Sequence, residues 1–278
     1  MKTQDLLSHR GPQCAEAAAC EWHEPPQEVA LGDDEVHLWR AGLSVSAALM
    51  KVLEQTLSAE EQARAGRFAF ESHRRNFIVA HGILRAVLGA YLGAEPRALE
   101  FSCGPQGKPF LRPGTPDRGL RFNMSHSGDL AVYAIARGRH VGVDVEHVRQ
   151  DPTLCSIAEQ WFSAAEAEAV RSLSGTRQVK MFYHLWTLKE AYLKGTGRGL
   201  RSALSDIEIR AASAQGAGGG EARLHPTGAP HWSLQSLRFA PGFAGALAVE
   251  GEDWTLRCWQ WSDREDEQSQ ERAADECV

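Results

Sequence analysis

The chain has 278 residues, 43% of them hydrophobic and 24% charged, an ordinary globular balance that allows one large domain or two modest ones. Five of its six net negative charges sit between Asp263 and Glu276, so the body is close to neutral and offers nucleic acid no strongly basic face. No run approaches the roughly 20 apolar residues a membrane helix needs, residues 1–30 carry acids rather than a secretory core, and six scattered cysteines form no disulfide framework. These features predict a soluble, cytoplasmic protein.

Residues 1–32 lack sustained periodicity and read as a loose extension. Val36-His37-Leu38-Trp39 reads as a first strand, and Ser58 with Glu61 predicts a capping box opening a helix. Between 74 and 92 the apolar positions Phe77, Ala80, Ile83, Leu84, Val87, Leu88 and Tyr91 recur at three and four, which predicts a long amphipathic helix. The Gly- and Pro-rich stretch 104–119 is loop or hairpin. Short β-like runs then follow at 120–124, 131–136 and 141–146. Helices are expected at 163–173 and 179–194, and strands at 206–209, 232–237, 244–249 and 254–261, around a flexible glycine loop at 216–220. This irregular alternation predicts an α+β fold. The expected division is a loose extension 1–32, an N-terminal subdomain 33–138, a C-terminal subdomain 139–262 and a disordered acidic tail 263–278.

Several segments carry residues suited to chemistry. On a strand, Val141, Val143 and Val145 share one face and Asp144 and Glu146 the other. Two carboxylates so placed repel each other unless a cation or solvent lies between them; the plain alternative is an acidic outer face. On the helix 179–194, Met181, Leu185, Leu188 and Tyr192 make an apolar stripe. Trp186, Glu190 and Lys194 lie on another side, four residues apart. Glu190 and Lys194 suit either a surface salt bridge or a third metal carboxylate with a lysine for phosphate. Ser125-His126-Ser127-Gly128-Asp129 is no hydrolase triad, because neighbours on a strand point to opposite faces; as a strand end it could hold a phosphate. Ser163-Ala164-Ala165-Glu166 is a second capping box, giving Glu166 a structural use. There is neither a phosphate-loop motif nor a His-Glu-x-x-His zinc pattern.

Taken together, Gly107-Lys108-Pro109, Phe122-Asn123-Met124-Ser125-His126-Ser127, Gly142-Val143-Asp144-Val145-Glu146, Phe162-Ser163-Ala164-Ala165-Glu166 and Trp186-Thr187-Leu188-Lys189-Glu190-Ala191-Tyr192-Leu193-Lys194 resemble the 4′-phosphopantetheinyl transferase superfamily in its Sfp-type branch. The resemblance covers about residues 36–250. It implies two similar α/β subdomains in a pseudo-twofold arrangement within one chain, a monomer. It implies transfer of 4′-phosphopantetheine from coenzyme A to a serine of an apo carrier protein, with release of 3′,5′-ADP. By resemblance, Asp144, Glu146 and Glu190 hold Mg²⁺, and Lys108, Lys194, Ser125 and His126 contact the coenzyme phosphates. Lys189 lies near the coenzyme, Arg64 and Arg75 near its 3′-phosphate, and Glu166 is the general base. Glu61 departs from the pattern, standing where a basic residue is common. Two other classes fit the same residues: a non-catalytic coenzyme A or carrier-binding module, and a magnesium phosphohydrolase.

Overall fold

The computed structural model describes residues 17–115, 119–199, 204, 207, 209, 221–224 and 231–262. In chain order the first elements are β1 (Ala18–Ala19), β2 (Glu35–Gly42), α1 (Ala47–Thr56), α2 (Ala59–Ala65), α3 (Glu71–Leu92), β3 (Phe101–Cys103) and β4 (Pro109–Leu111). They are followed by β5 (Leu120–Ser127), β6 (Leu130–Arg137), β7 (Val141–His147), α4 (Leu154–Trp161), α5 (Ala164–Arg171) and α6 (Gly175–Thr196). The last are β8 (Glu221–Leu224), β9 (Trp232–Arg238), β10 (Phe243–Glu250) and β11 (Thr255–Gln260). The α+β class expected from sequence holds.

The elements fall into two compact units. Among the described residues, one comprises those of Cys20–Val141 together with 253–262. Its main sheet has the order β11-β2-β6-β5. β5 and β6 form an antiparallel hairpin turning at Gly128, where φ is +58°, a conformation glycine adopts without penalty. The apolar stripe of α3 supplies Ile83, Leu84, Val87 and Leu88 to a core completed by Trp39, Phe122, Tyr133 and Ile135. Each such side chain withdrawn from water contributes roughly 1.5–3 kcal/mol. α3 stops at Gly93 in the left-handed conformation, whose N–H returns to Gly89 O.

The other unit comprises the described residues of Gly142–Glu252 together with 17–19. Its sheet runs β1-β9-β10-β7, with β8 on β9. Here α6 lays Leu185, Leu188, Ala191 and Tyr192 on Trp232, Leu234, Ala246 and Ala248 of β9 and β10.

Several features differ from the sequence expectation. α1 and α4 were not anticipated: each is short, and neither carries a Glu or Gln in a capping box. The stretch expected to be loose through residue 32 contributes β1, which pairs with β9, and His23, which bridges to Trp259. Two-residue pairings leave no periodicity to read. β11, expected with 139–262, pairs in parallel with β2 in the first unit, a partner far away in sequence. The strand expected at 206–209 lies for the most part outside the described residues, as do the 216–220 loop and the 263–278 tail.

Candidate metal and phosphate site

The central geometry is the approach of β7 to α6. From Val141 through Val145 the strand is buried on both faces, and Glu146 is half-buried. A Cβ on Gly142 would lie 2.0 Å from Ala191 O and 2.3 Å from Gly195 N, so strand and helix backbones touch without intervening side chains. Gly195 is similarly confined, since a Cβ there would lie 2.6 Å from the Trp232 ring. This contact carries Asp144 to α6, where Lys194 Nζ stands 2.6 Å from Asp144 Oδ1. Asp144 is buried, whereas the Lys194 side chain retains 30% of its exposure.

One helical turn before Lys194 lies Glu190, only 8% exposed. Its Oε1 is buried and accepts no hydrogen bond. Burial foremost, then the charge of Asp144 and also that of Glu146, push its carboxyl up to about 7, against the opposing pull of Lys194. The two strand carboxylates and the helix carboxylate therefore act on one another within a single unit. Among the described residues, no group of three or more His, Cys, Asp or Glu side chains is arranged so that it could hold a metal ion. Magnesium does not require such a group: it commonly binds one or two carboxylates and completes its octahedron with water and substrate phosphates. Oxygen-only donors, a buried carboxylate oxygen lacking a donor and mutual repulsion between acids all fit that ion.

Glu166 and Lys189 are placed otherwise than the resemblance implied. Ser163 caps α5, its Oγ accepting from Glu166 N–H while Glu166 Oε2 accepts from Ser163 N–H at 2.9 Å. The same Oε2 lies 2.6 Å from Lys189 Nζ, and Oε1 accepts from Ile209 N–H at 3.0 Å. Lys189 also donates to Leu204 O at 2.8 Å and Ile207 O at 2.5 Å, beneath the Phe162 ring. Glu166 is 1% exposed and Lys189 0%. Both carboxylate oxygens have donors and both side chains are buried, with Glu166 serving as a helix cap.

The remaining candidates belong to the other unit. Ser125 on β5 is buried and its neighbour His126 exposed, the opposed orientation a strand imposes. Arg64 lies over the Phe77 ring at 5.1 Å, and Phe77 in turn stacks on His81 at 3.9 Å. Arg64 and His126 both bear electrostatically on His81, whose burial lowers it to about 4. Arg64 and His126 are thus drawn into one neighbourhood. Arg75 donates to Val45 O, and Lys108 Nζ to Val141 O at 3.1 Å. Glu61 has an internal use: its Oε2 accepts from Ser58 N–H at 2.8 Å and pairs with buried Arg85 at 2.7 Å. Sequence reasoning missed Gly142 and Gly195; a glycine beside each acidic motif was the available signal. It also missed the partners of Glu61 and Glu166, which lie more than twenty residues away.

Asp144 thus meets Lys194, and the charges of Asp144 and Glu146 both bear on Glu190, within one unit of an α+β chain. The profile described as the 4′-phosphopantetheinyl transferase superfamily matches residues 140–253, and one described as 4′-phosphopantetheinyl transferase, N-terminal, matches 44–137. The 4′-phosphopantetheinyl transferase HetI of a Nostoc species is 40% identical over 240 residues, covering 86% of this chain and 98% of that protein. The 4′-phosphopantetheinyl transferase Sfp of Bacillus subtilis is 29% identical over 55% of this chain and 66% of its own length. The chain belongs to the 4′-phosphopantetheinyl transferase superfamily. A solved holo-(acyl-carrier-protein) synthase from Bacillus anthracis matches at 24% identity over 40% of this chain, with a TM-score of 0.34. That likeness is too loose to bear weight. Among the described residues, no helix is long and apolar enough to cross a membrane.

Proposed function

We propose that the protein transfers the 4′-phosphopantetheine group of coenzyme A to a serine hydroxyl of an apo carrier protein. The serine oxygen attacks the phosphorus bearing pantetheine and gives its proton to water, the bond from that phosphorus to the nucleotide phosphate breaks, and 3′,5′-ADP leaves. The observation that carries the reading is the mutual arrangement of Asp144, Glu146, Glu190 and Lys194 in a chain of this superfamily. Asp144, Glu146 and Glu190 are proposed to hold Mg²⁺, which when bound would offset the pyrophosphate charge and polarise its oxygens. Lys194 is proposed to turn its ammonium from Asp144 to a phosphate oxygen, stabilising charge as it accumulates on the leaving group. Arg64, Arg75, Lys108, Ser125 and His126 are proposed phosphate contacts, Arg64 and His126 being supported by their shared neighbourhood around His81. Glu166 and Lys189 are not assigned to substrate.

Intact-protein mass measurement tests this. The protein, coenzyme A and magnesium are incubated with a panel of apo acyl, polyketide and peptidyl carriers. The expected result is one phosphopantetheine added to at least one carrier with an equal amount of 3′,5′-ADP. Nucleotide released without any carrier would indicate a phosphohydrolase, and coenzyme A binding without turnover a binding module.

A further inference from the structure

The two units contain the same buried device. In one, α2 opens on the Ser58–Glu61 capping box, and Glu61 meets Arg85, which is 1% exposed and also donates to Pro96 O and Leu99 O at 2.9 Å each. In the other, α5 opens on the Ser163–Glu166 box, and Glu166 meets Lys189, which donates to Leu204 O and Ile207 O. α3 and α6 are both 22 residues long, and Arg85 and Lys189 occupy the same position, fifteenth from the start. In each case the cation binds two carbonyls three residues apart, on chain that follows its own long helix. A buried charge needs both a partner and satisfied hydrogen bonds. Each cation has them.

We propose that Glu166 and Lys189 are positioning residues: a latch, equivalent to Glu61–Arg85, that fixes the chain at Leu204, Ile207 and Ile209 to α5 and α6 and so sets the aim of the adjacent Glu190. The counterpart decides between roles. Apart from the Ile209 N–H on Glu166, Glu61 and Arg85 make the matching cap, ion-pair and two-carbonyl contacts in a unit that holds none of the three metal-site carboxylates, so that much of the arrangement is explained by the architecture without a proton-transfer task. What the second unit adds is location, because Lys189 immediately precedes Glu190. The inference deepens the transferase reading and rests on it for the activity measurements only.

The test compares E166Q, K189M, the double variant and K189R in the full chain, measuring amide exchange at Ile209 alongside transfer kinetics. The latch predicts that E166Q and K189M each speed Ile209 exchange by about tenfold or more. It predicts that they lower transfer to a similar extent and that the double variant is no worse than either, as coupled partners require. K189R, which places at 189 the residue found at 85, keeps Ile209 protected. A general base predicts instead a loss of roughly 10²–10⁴ in kcat for E166Q alone, with Ile209 exchange unchanged and K189M active; that pattern overturns the latch. Should both single variants fail to fold, that failure itself matches a structural latch and not a free base, and K189R supplies the check: lost Ile209 protection there overturns the latch. If the wild-type chain transfers nothing, the transferase reading fails while the exchange measurements still judge the latch.

Discussion

Gly142 on β7 lies so close to Ala191 on α6 that a methyl group at 142 would sit 2.0 Å from the Ala191 carbonyl oxygen. The obstacle is backbone, which cannot rotate aside, so helix and strand would have to separate. Gly142→Ala is expected to destabilise the protein at or beyond the upper end of the usual 1–3 kcal/mol (about) for overpacking. It should also pull Asp144 from Lys194. Urea unfolding measures the first effect, and the loss of transfer in the fraction still folded measures the second.

Glu190 is held among like charges with a buried oxygen that accepts no hydrogen bond. Replacing it by Gln removes the repulsion, so E190Q is expected to match or exceed the wild type in melting temperature without metal. Magnesium should raise the wild-type melting temperature by an amount that grows with the logarithm of its concentration and leave E190Q almost unmoved. A thermal melt with and without magnesium reads this directly, independent of turnover.

Lys194 neutralises Asp144 across a 2.6 Å contact while its own side chain is partly solvated. K194M leaves Asp144 buried without that cation, a cost of about 3 kcal/mol or more, and removes the charge proposed to meet a phosphate oxygen. Transfer is expected to fall by about 10²–10³, the usual loss for one electrostatic donor at a reacting centre. Steady-state kinetics should show the fall in kcat more than in the KM for the carrier.

Burial lowers His81 and His184 to about 4 from an ordinary value of 6.5; His184 is hydrogen-bonded to Ser236 Oγ at 2.8 Å. Within that window the folded state keeps both rings neutral while the unfolded chain protonates them. Their contribution is complete above the upper value and is lost progressively as pH falls toward the lower one, by at most about 3 kcal/mol per ring. Denaturant midpoints measured across the window should decline with acidification, and His184→Gln should make the decline shallower.

The long helices and the β5–β6–β7 run were legible because period and turn chemistry are local. So was the acidic face of β7, since alternation places Asp144 and Glu146 together whatever the strand packs against. What packs against it is a tertiary matter: the side-chain-free contact at Gly142 brings β7 against α6, whose Glu190 feels the charge of those acids. Glu166 shows the opposite case. Its capping box was readable from Ser163 three residues earlier, but its second partner, Lys189, comes from another helix, and a motif match alone could not distinguish a reactive carboxylate from a sealed one. β11 escaped for a related reason: parallel pairing with β2 joins the two ends of the chain and leaves no local trace.

The most direct test of the account is transfer to an apo carrier by E190A beside the wild type, with melting temperatures measured on the same samples. The account predicts that E190A adds no phosphopantetheine while melting within a few degrees of the wild type or above it. A folded E190A that still modifies the carrier at close to the wild-type rate would contradict it.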